Sequence, residues 1–294
     1  MILPNVCNQA LKSFYSSGEY GMDSYKLCLD KQHFLNYKNE IIYNFNSRGF
    51  RDQEWPETLS ELSDAIWCVG DSFTVGVGTP LEHTWPYVLS NKCNLRSINI
   101  GMDGASNDWI CRKTLEILDE VSPKYIVIQW SFIHRGELED VSLTDYDRRV
   151  HLKFVNGIDA YRNFIKNIRI VNKHAKRTKI IHTLVPNALL PITSFDDIQS
   201  TWNNFAGIRW PAIAPKTHRD YDSLSEGVKL ELKRLSNFND RILEYIDLSE
   251  LLDNNRDIMS SIVDYQQIDF SRDGFHYDII TTTNLVDKLL LLIR

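Results

Sequence analysis

Ser72, Asp273 and His276 are the residues of this chain whose types and placement suit nucleophilic chemistry. Ser72 stands in Gly70-Asp71-Ser72-Phe73-Thr74-Val75-Gly76-Val77-Gly78, directly after the apolar run Ile66-Trp67-Cys68-Val69. A serine hydroxyl becomes an effective nucleophile when a neighbouring imidazole takes its proton. Asp273 precedes His276 by three positions in Ser271-Arg272-Asp273-Gly274-Phe275-His276-Tyr277-Asp278. At that spacing the carboxylate can accept the Nδ1–H and leave Nε2 as base. Each piece also has a plain reading alone: a βα turn with a capping serine, and a surface Asp–His pair or a satisfied turn. Asp273, His276 and Asp278 are metal-ligand types as well, but the other seven histidines form no H-x-H or H-E-x-x-H. No GK[ST] follows the glycines, as a phosphate loop requires, and Thr74 stands where an α/β-hydrolase elbow needs glycine.

A second glycine-bearing segment is Asn99-Ile100-Gly101-Met102-Asp103-Gly104-Ala105-Ser106. A glycine N–H here can face an oxyanion, and Ser106 opens a helix whose positive end favours negative charge. The simple alternative is turn glycine.

These segments do chemistry together only if the fold brings them to one edge. The pattern predicts that edge. Strands are expected at Ile66–Gly70, Ser97–Gly101, Lys124–Trp130, Thr178–Leu184 and Glu244–Leu248, and helical stripes at 109–121, about 145–175, and 279–293. Apolar strands that alternate with helices and lack a period of two imply a parallel sheet covered on both faces. Such sheets bind ligands beyond the carboxyl ends of their strands. The expected architecture is therefore a three-layer α/β/α fold with a parallel, flavodoxin-like sheet of about five strands. Residues 1–65 read as an N-terminal extension packed on a main domain of 66–294, with an insertion at about 186–240 that breaks the alternation. Both apolar stripes at 109–121 and 279–293 are assigned to the core.

The 294 residues carry a net charge of −6, with 43% hydrophobic and 24% charged residues. Disorder and fibrous classes are excluded, and the acidic balance argues against nucleic acid as a partner. No run approaches the ~18 apolar residues of a membrane helix, so membrane insertion is not expected. An odd cysteine count of 5 without C-x-x-C fits a reducing compartment, with Cys68 a small core residue. The first residues do not look like a signal peptide, which predicts a cytoplasmic or virus-encoded protein.

Taken in order, the segments resemble the blocks of the SGNH (GDSL-type) hydrolases: Gly70-Asp71-Ser72, then Asn99, Gly101, Gly104 and Ser106, then Asp273 and His276 before the final helix. Asn46-Ser47-Arg48-Gly49-Phe50-Arg51 is similar to the N-x-x-G-F-R lead-in of one branch of that family, and Leu81-Glu82-His83-Thr84-Trp85-Pro86 resembles that branch too. The resemblance spans about residues 43–292, with 186–240 unmatched. It implies Ser72 as nucleophile, His276 as general base and then acid, Asp273 as orienter, and the Ser72 and Gly104 N–H groups as oxyanion donors. One site then requires Ser72 Oγ within about 2.6–3.2 Å of a His276 nitrogen.

The family's third block, G-x-N-D, has no counterpart: the third strand leads into Gln129-Trp130-Ser131-Phe132-Ile133-His134-Arg135-Gly136-Glu137. Ser131 or His134 is the expected substitute for the missing asparagine donor. Arg135 is a candidate for substrate binding, or else forms a structural pair with Glu137. Trp202 and Trp210 are candidate sugar-stacking residues, or else core. The expected activity is hydrolysis of an acyl ester, acetyl included, on a small molecule or glycan, with no metal or organic cofactor. An acyltransferase with the same triad, and a non-catalytic glycan-binding or structural module, are the alternatives.

Overall fold

A computed structural model describes residues 13–14, 23–28, 30–132, 135–137, 157–186 and 255–293. The expected strand at Glu244–Leu248, the insertion beyond Pro186, and residues 145–156 of the expected long helix lie outside the described residues.

Five parallel strands form one sheet: β3 (Ile66–Gly70), β4 (Ser97–Gly101), β5 (Tyr125–Trp130), β6 (Lys179–Leu184) and β7 (Ile262–Val263), in the order β4-β3-β5-β6-β7. β3 pairs residue by residue with β4 (Gly70 with Gly101) and with β5 (Ile66 with Tyr125). The strand order reverses at β3, so the crevice where a ligand fits best opens beyond Gly70.

Every residue of β3 and β5 is buried. Their side chains still alternate. Trp67 and Val69 join Ile126, Ile128 and Trp130 on one face, under α4 (Asn107–Glu120) and α5 (Gly157–His174). Ile66 and Cys68 join Tyr125 and Val127 on the other, under α3 (Trp85–Cys93) and α7 (Ile279–Ile293). Both faces are thus covered, which is why β3 and β5 read as apolar runs without a period of two, Gln129 being the polar exception in β5. Trp67, Trp85, Trp109 and Trp130 are all fully buried, and each large apolar side chain so placed contributes about 1.5–3 kcal/mol.

Some details differ from expectation. The 279–293 stripe is not wholly core: Leu285, Val286 and Leu289 are buried, whereas Ile280, Leu291 and Leu292 are exposed. α7 covers the sheet from outside, so only one of its faces meets apolar partners. Thr84, which the sequence offers as a helix cap ahead of Pro86, does occupy the N-cap position of α3, but its hydroxyl donates to Leu81 O (2.8 Å) instead of capping the helix. Cys68 is a fully buried core residue whose thiol burial holds protonated. No described helix is long and apolar enough to cross a membrane.

Upstream of β3 lie the antiparallel ribbon β1–β2 (Ser13–Phe14 with Tyr43–Asn44) and the short helix α1 (Lys31–Asn36). Both reach the loops of the main sheet. The Tyr43 hydroxyl accepts Gly78 N–H (2.8 Å), and His33 Nε2 lies 2.8 Å from Ser271 O. Asn46 organises the next turn by accepting the N–H groups of Arg48 and Phe50 (both 3.0 Å), with Gly49 at φ +82°. Few residues but glycine adopt that angle without strain. A short helix α6 (Arg256–Ser260) precedes β7 and places Ile258 in the same core cluster as Trp67 and Trp130.

Candidate active site

β3 ends at Gly70, and one residue later the chain enters α2 (Ser72–Val75). Close approach makes that turn possible. A Cβ at Gly70 would lie 2.1 Å from Thr74 Oγ1, and one at Gly101 would lie 2.4 Å from Val75 N. Asn99 tightens the same joint, donating to Thr74 O (2.9 Å) and accepting Gly101 N–H (2.8 Å). Asp71 caps α2 by accepting Phe73 N–H (3.0 Å). Ser72 thus sits in the first turn of a helix clamped on two strand ends.

The loop before α7 meets it there. His276 Nε2 lies 2.8 Å from Ser72 Oγ, and His276 Nδ1 lies 2.6 Å from Asp273 Oδ2. Asp273 Oδ1 accepts the Ser271 hydroxyl (2.7 Å) and the N–H groups of Phe275 (2.8 Å) and His276 (3.0 Å). Burial opposes ionisation of this carboxyl, but the His276 charge and these donors outweigh it and hold it below the usual carboxylate range. Phe73 packs on the imidazole at 4.5 Å between ring centroids. The arrangement has the parts for proton transfer from a hydroxyl to Nε2, with the Nδ1–H tautomer held by Asp273.

Gly104 adopts φ +73°, and its N–H, like that of Ser72, makes no hydrogen bond among the described residues. Ser106 accepts Trp109 N–H (3.1 Å) and caps α4.

Ser131 is not placed as a substitute oxyanion donor. Its hydroxyl is fully buried and donates to Asp71 Oδ2 at 2.5 Å, because a carboxylate is a stronger acceptor than anything else in reach. His134 lies outside the described residues, as do Trp202 and Trp210. Arg135 and Glu137 do not pair with each other. Arg135 Nη1 reaches Asp71 Oδ2 (3.1 Å), and Glu137 pairs with Arg112. Asp278 belongs to a separate cluster, accepting from Tyr37 (2.7 Å) and lying 2.6 Å from His83 Nδ1. The Asp278 contact raises the His83 pKa above its ordinary value.

Several supporting roles were not foreseen from the sequence. Arg51, buried, donates to the carbonyls of Val75 (3.2 Å), Gly76 (2.6 Å), Thr79 (3.0 Å) and Ile42 (3.0 Å). Arg272 forms a two-point pair with buried Asp23 (2.7 and 2.5 Å), and Asp23 accepts the Tyr43 hydroxyl (2.6 Å). Gln129 accepts from Thr74 (2.9 Å) and Trp85 (3.2 Å) and donates to Tyr265 (2.6 Å) and Tyr277 (2.8 Å). A glutamine inside an apolar strand was the available signal, since a buried amide requires partners. A cavity of about 600 Å³ opens between Lys38–Asn44 and Pro80–Glu82, and none of Ser72, Asp273 and His276 lines it.

No family model matches the sequence, and no curated protein matches it. Solved structures with a similar chain path include a lipolytic protein of the G-D-S-L family from Veillonella parvula (15% identity, 78% of this chain and 97% of that one, TM-score 0.40). Others are the psychrotrophic esterase EstA from Pseudoalteromonas (12%, 78% and 96%, 0.39) and a family two carbohydrate esterase from Clostridium thermocellum in complex with cellohexaose (14%, 82% and 66%, 0.38). At such identities neither site roles nor substrates transfer.

Proposed function

We propose that this protein is a serine esterase of the SGNH (GDSL-type) kind that hydrolyses an acyl ester through an acyl-enzyme. The observation that carries the reading is the unbroken line from Ser72 Oγ through His276 to Asp273, at 2.8 and 2.6 Å. Ser72 attacks the acyl carbon while His276 Nε2 takes its proton. The Ser72 and Gly104 N–H groups receive the developing oxyanion, each such donor being worth roughly 3–4 kcal/mol in the transition state. His276 then returns the proton to the departing alkoxide. In the second half, His276 deprotonates water, which attacks the acyl carbon; as the bond to Ser72 Oγ breaks, His276 returns that proton to the serine oxygen and the free acid leaves. Asp273 stays ionised throughout and stabilises the transient imidazolium.

A carbohydrate acetyl ester is the substrate class this reading favours, on the family resemblance and on Trp202 and Trp210 as candidate stacking residues. The test is a fluorophosphonate probe followed by mapping of the modified residue. Labelling of Ser72, lost in Ser72→Ala and slowed in His276→Ala, is the expected result. An unmodified Ser72, with no turnover of a broad acyl-ester panel, transfers the reading to a non-catalytic module.

A further inference from the structure

Resting on the esterase reading, we propose that Arg135 is an electrostatic positioning residue, whose guanidinium offsets the Asp71 carboxylate so that negative charge can build on the acyl oxygen beside Ser72.

Asp71 directly precedes the nucleophile, and its side chain is fully buried. One oxygen is occupied by Phe73 N–H; the other accepts the Ser131 hydroxyl and Arg135 Nη1. The expected oxyanion arm is the N–H of the peptide joining Asp71 to Ser72. A carboxylate one residue away opposes the charge that this N–H must stabilise, and in a water-poor site the opposition is weakly screened. α2 has only four residues, so little helix dipole is available to offset it. Among the described residues, the charged and titratable groups that act on Asp71 are Arg135 and His276, with Tyr265 and Tyr277 also within its field. Burial raises the Asp71 pKa, and Arg135 is the largest influence pulling it back.

Arg135 is held for this task. Nη1 forks between Asp71 Oδ2 and Ser131 Oγ, both at 3.1 Å. The guanidinium lies 5.0 Å from the Phe132 ring centroid. Its backbone is tied at both ends: Arg135 N–H donates to Phe132 O (3.0 Å), and Arg135 O accepts Asn107 N–H (3.3 Å). Where the family resemblance expects a neutral asparagine donor after β5, this chain commits Ser131 to the same carboxylate and places a cation next to it.

The test is a rescue experiment read by fluorophosphonate labelling of Ser72 and by turnover of an ester that the wild type hydrolyses. Arg135→Gln is expected to slow both by about 10–100-fold, with KM changed less than about threefold, the pattern of a transition-state effect. The deficit should widen as pH rises and narrow as it falls, because an uncompensated buried carboxylate takes up a proton. Adding Asp71→Asn, which keeps an acceptor for Phe73 N–H, should return most of the lost rate. Arg135→Lys, which keeps the charge, should stay within about tenfold of wild type; it serves as the test variant if thermal melting shows Arg135→Gln unfolded. A deficit that Asp71→Asn leaves in place, a loss in Arg135→Lys beyond that range with the fold intact, or a loss confined to KM overturns the proposal while the esterase reading stands. No labelling of Ser72 in the wild type overturns the esterase reading, and this one with it.

Discussion

Arg51 Nη1 donates to the Gly76 carbonyl at 2.6 Å, so a residue upstream of β3 holds the turn that ends the helix carrying Ser72. Gly76 is the left-handed C-cap of α2, and its own N–H returns to Ser72 O. The same guanidinium serves Val75, Thr79 and Ile42. The N-x-x-G-F-R turn is thus a brace for the GDS loop. Removing it strands several buried carbonyls, each costing about 1–3 kcal/mol when unpaired. Arg51→Ala should lower the unfolding free energy by about 3 kcal/mol or more, measured by denaturant melting. An Arg51→Ala protein as stable as wild type would refute the brace.

Ser72, His276 and Asp273 should behave as one unit. Given an ester that turns over, Ser72→Ala and His276→Ala should each lower kcat by a factor on the order of 10³–10⁶, and the double variant should be little worse than either. Asp273→Asn should cost less than Ser72→Ala, since the nucleophile remains. Steady-state kinetics on the four proteins decides; multiplicative loss in the double variant would mean that the two residues serve separate steps.

Gly78 adopts φ +78°, and a Cβ there would lie 2.4 Å from Ser271 Oγ and 3.1 Å from Asp273 Cγ. Gly78→Ala should therefore disturb Asp273 directly as well as strain the backbone, at a stability cost of about 1–3 kcal/mol. Labelling of Ser72 should slow in a protein that is still folded at room temperature. Wild-type labelling by Gly78→Ala would show that the Asp273 loop tolerates displacement.

Acid should destabilise the fold partly through His182. Its ring is buried, accepts from Trp130 Nε1 (3.1 Å) and donates to Asn172 Oδ1 (2.9 Å). Burial depresses its pKa from 6.5 to about 4. The folded pKa lies below the unfolded one, so this contribution is complete above about pH 6.5 and is lost as pH falls toward 4, for a total of about 3 kcal/mol. Asp273, also depressed, adds loss of the same sign at lower pH. Chemical denaturation from pH 8 to 4 should show a shallower slope for His182→Gln than for wild type; equal slopes would exclude His182 as the source.

The amino-acid sequence alone determined the three-layer parallel architecture, because strands such as Ile66–Gly70 and Tyr125–Trp130 are apolar on both faces and alternate with helical stripes. It also carried the short-range chemistry: Asp273 and His276 share a loop, and three residues of separation suffice for their contact. Contacts between distant segments were decided only by the tertiary structure. Ser72 meets His276 across 204 positions because β3 and the loop before α7 end at the same sheet edge. Ser131 looked free to donate, but whether a hydroxyl is free depends on what lies beside it, and Asp71, 60 positions earlier, accepts its hydrogen bond. For the same reason the neighbours Arg135 and Glu137 parted, each to a charge brought near by folding. The role of Arg51 was equally hidden, since its acceptors are backbone carbonyls, which every residue has and which no side-chain pattern records.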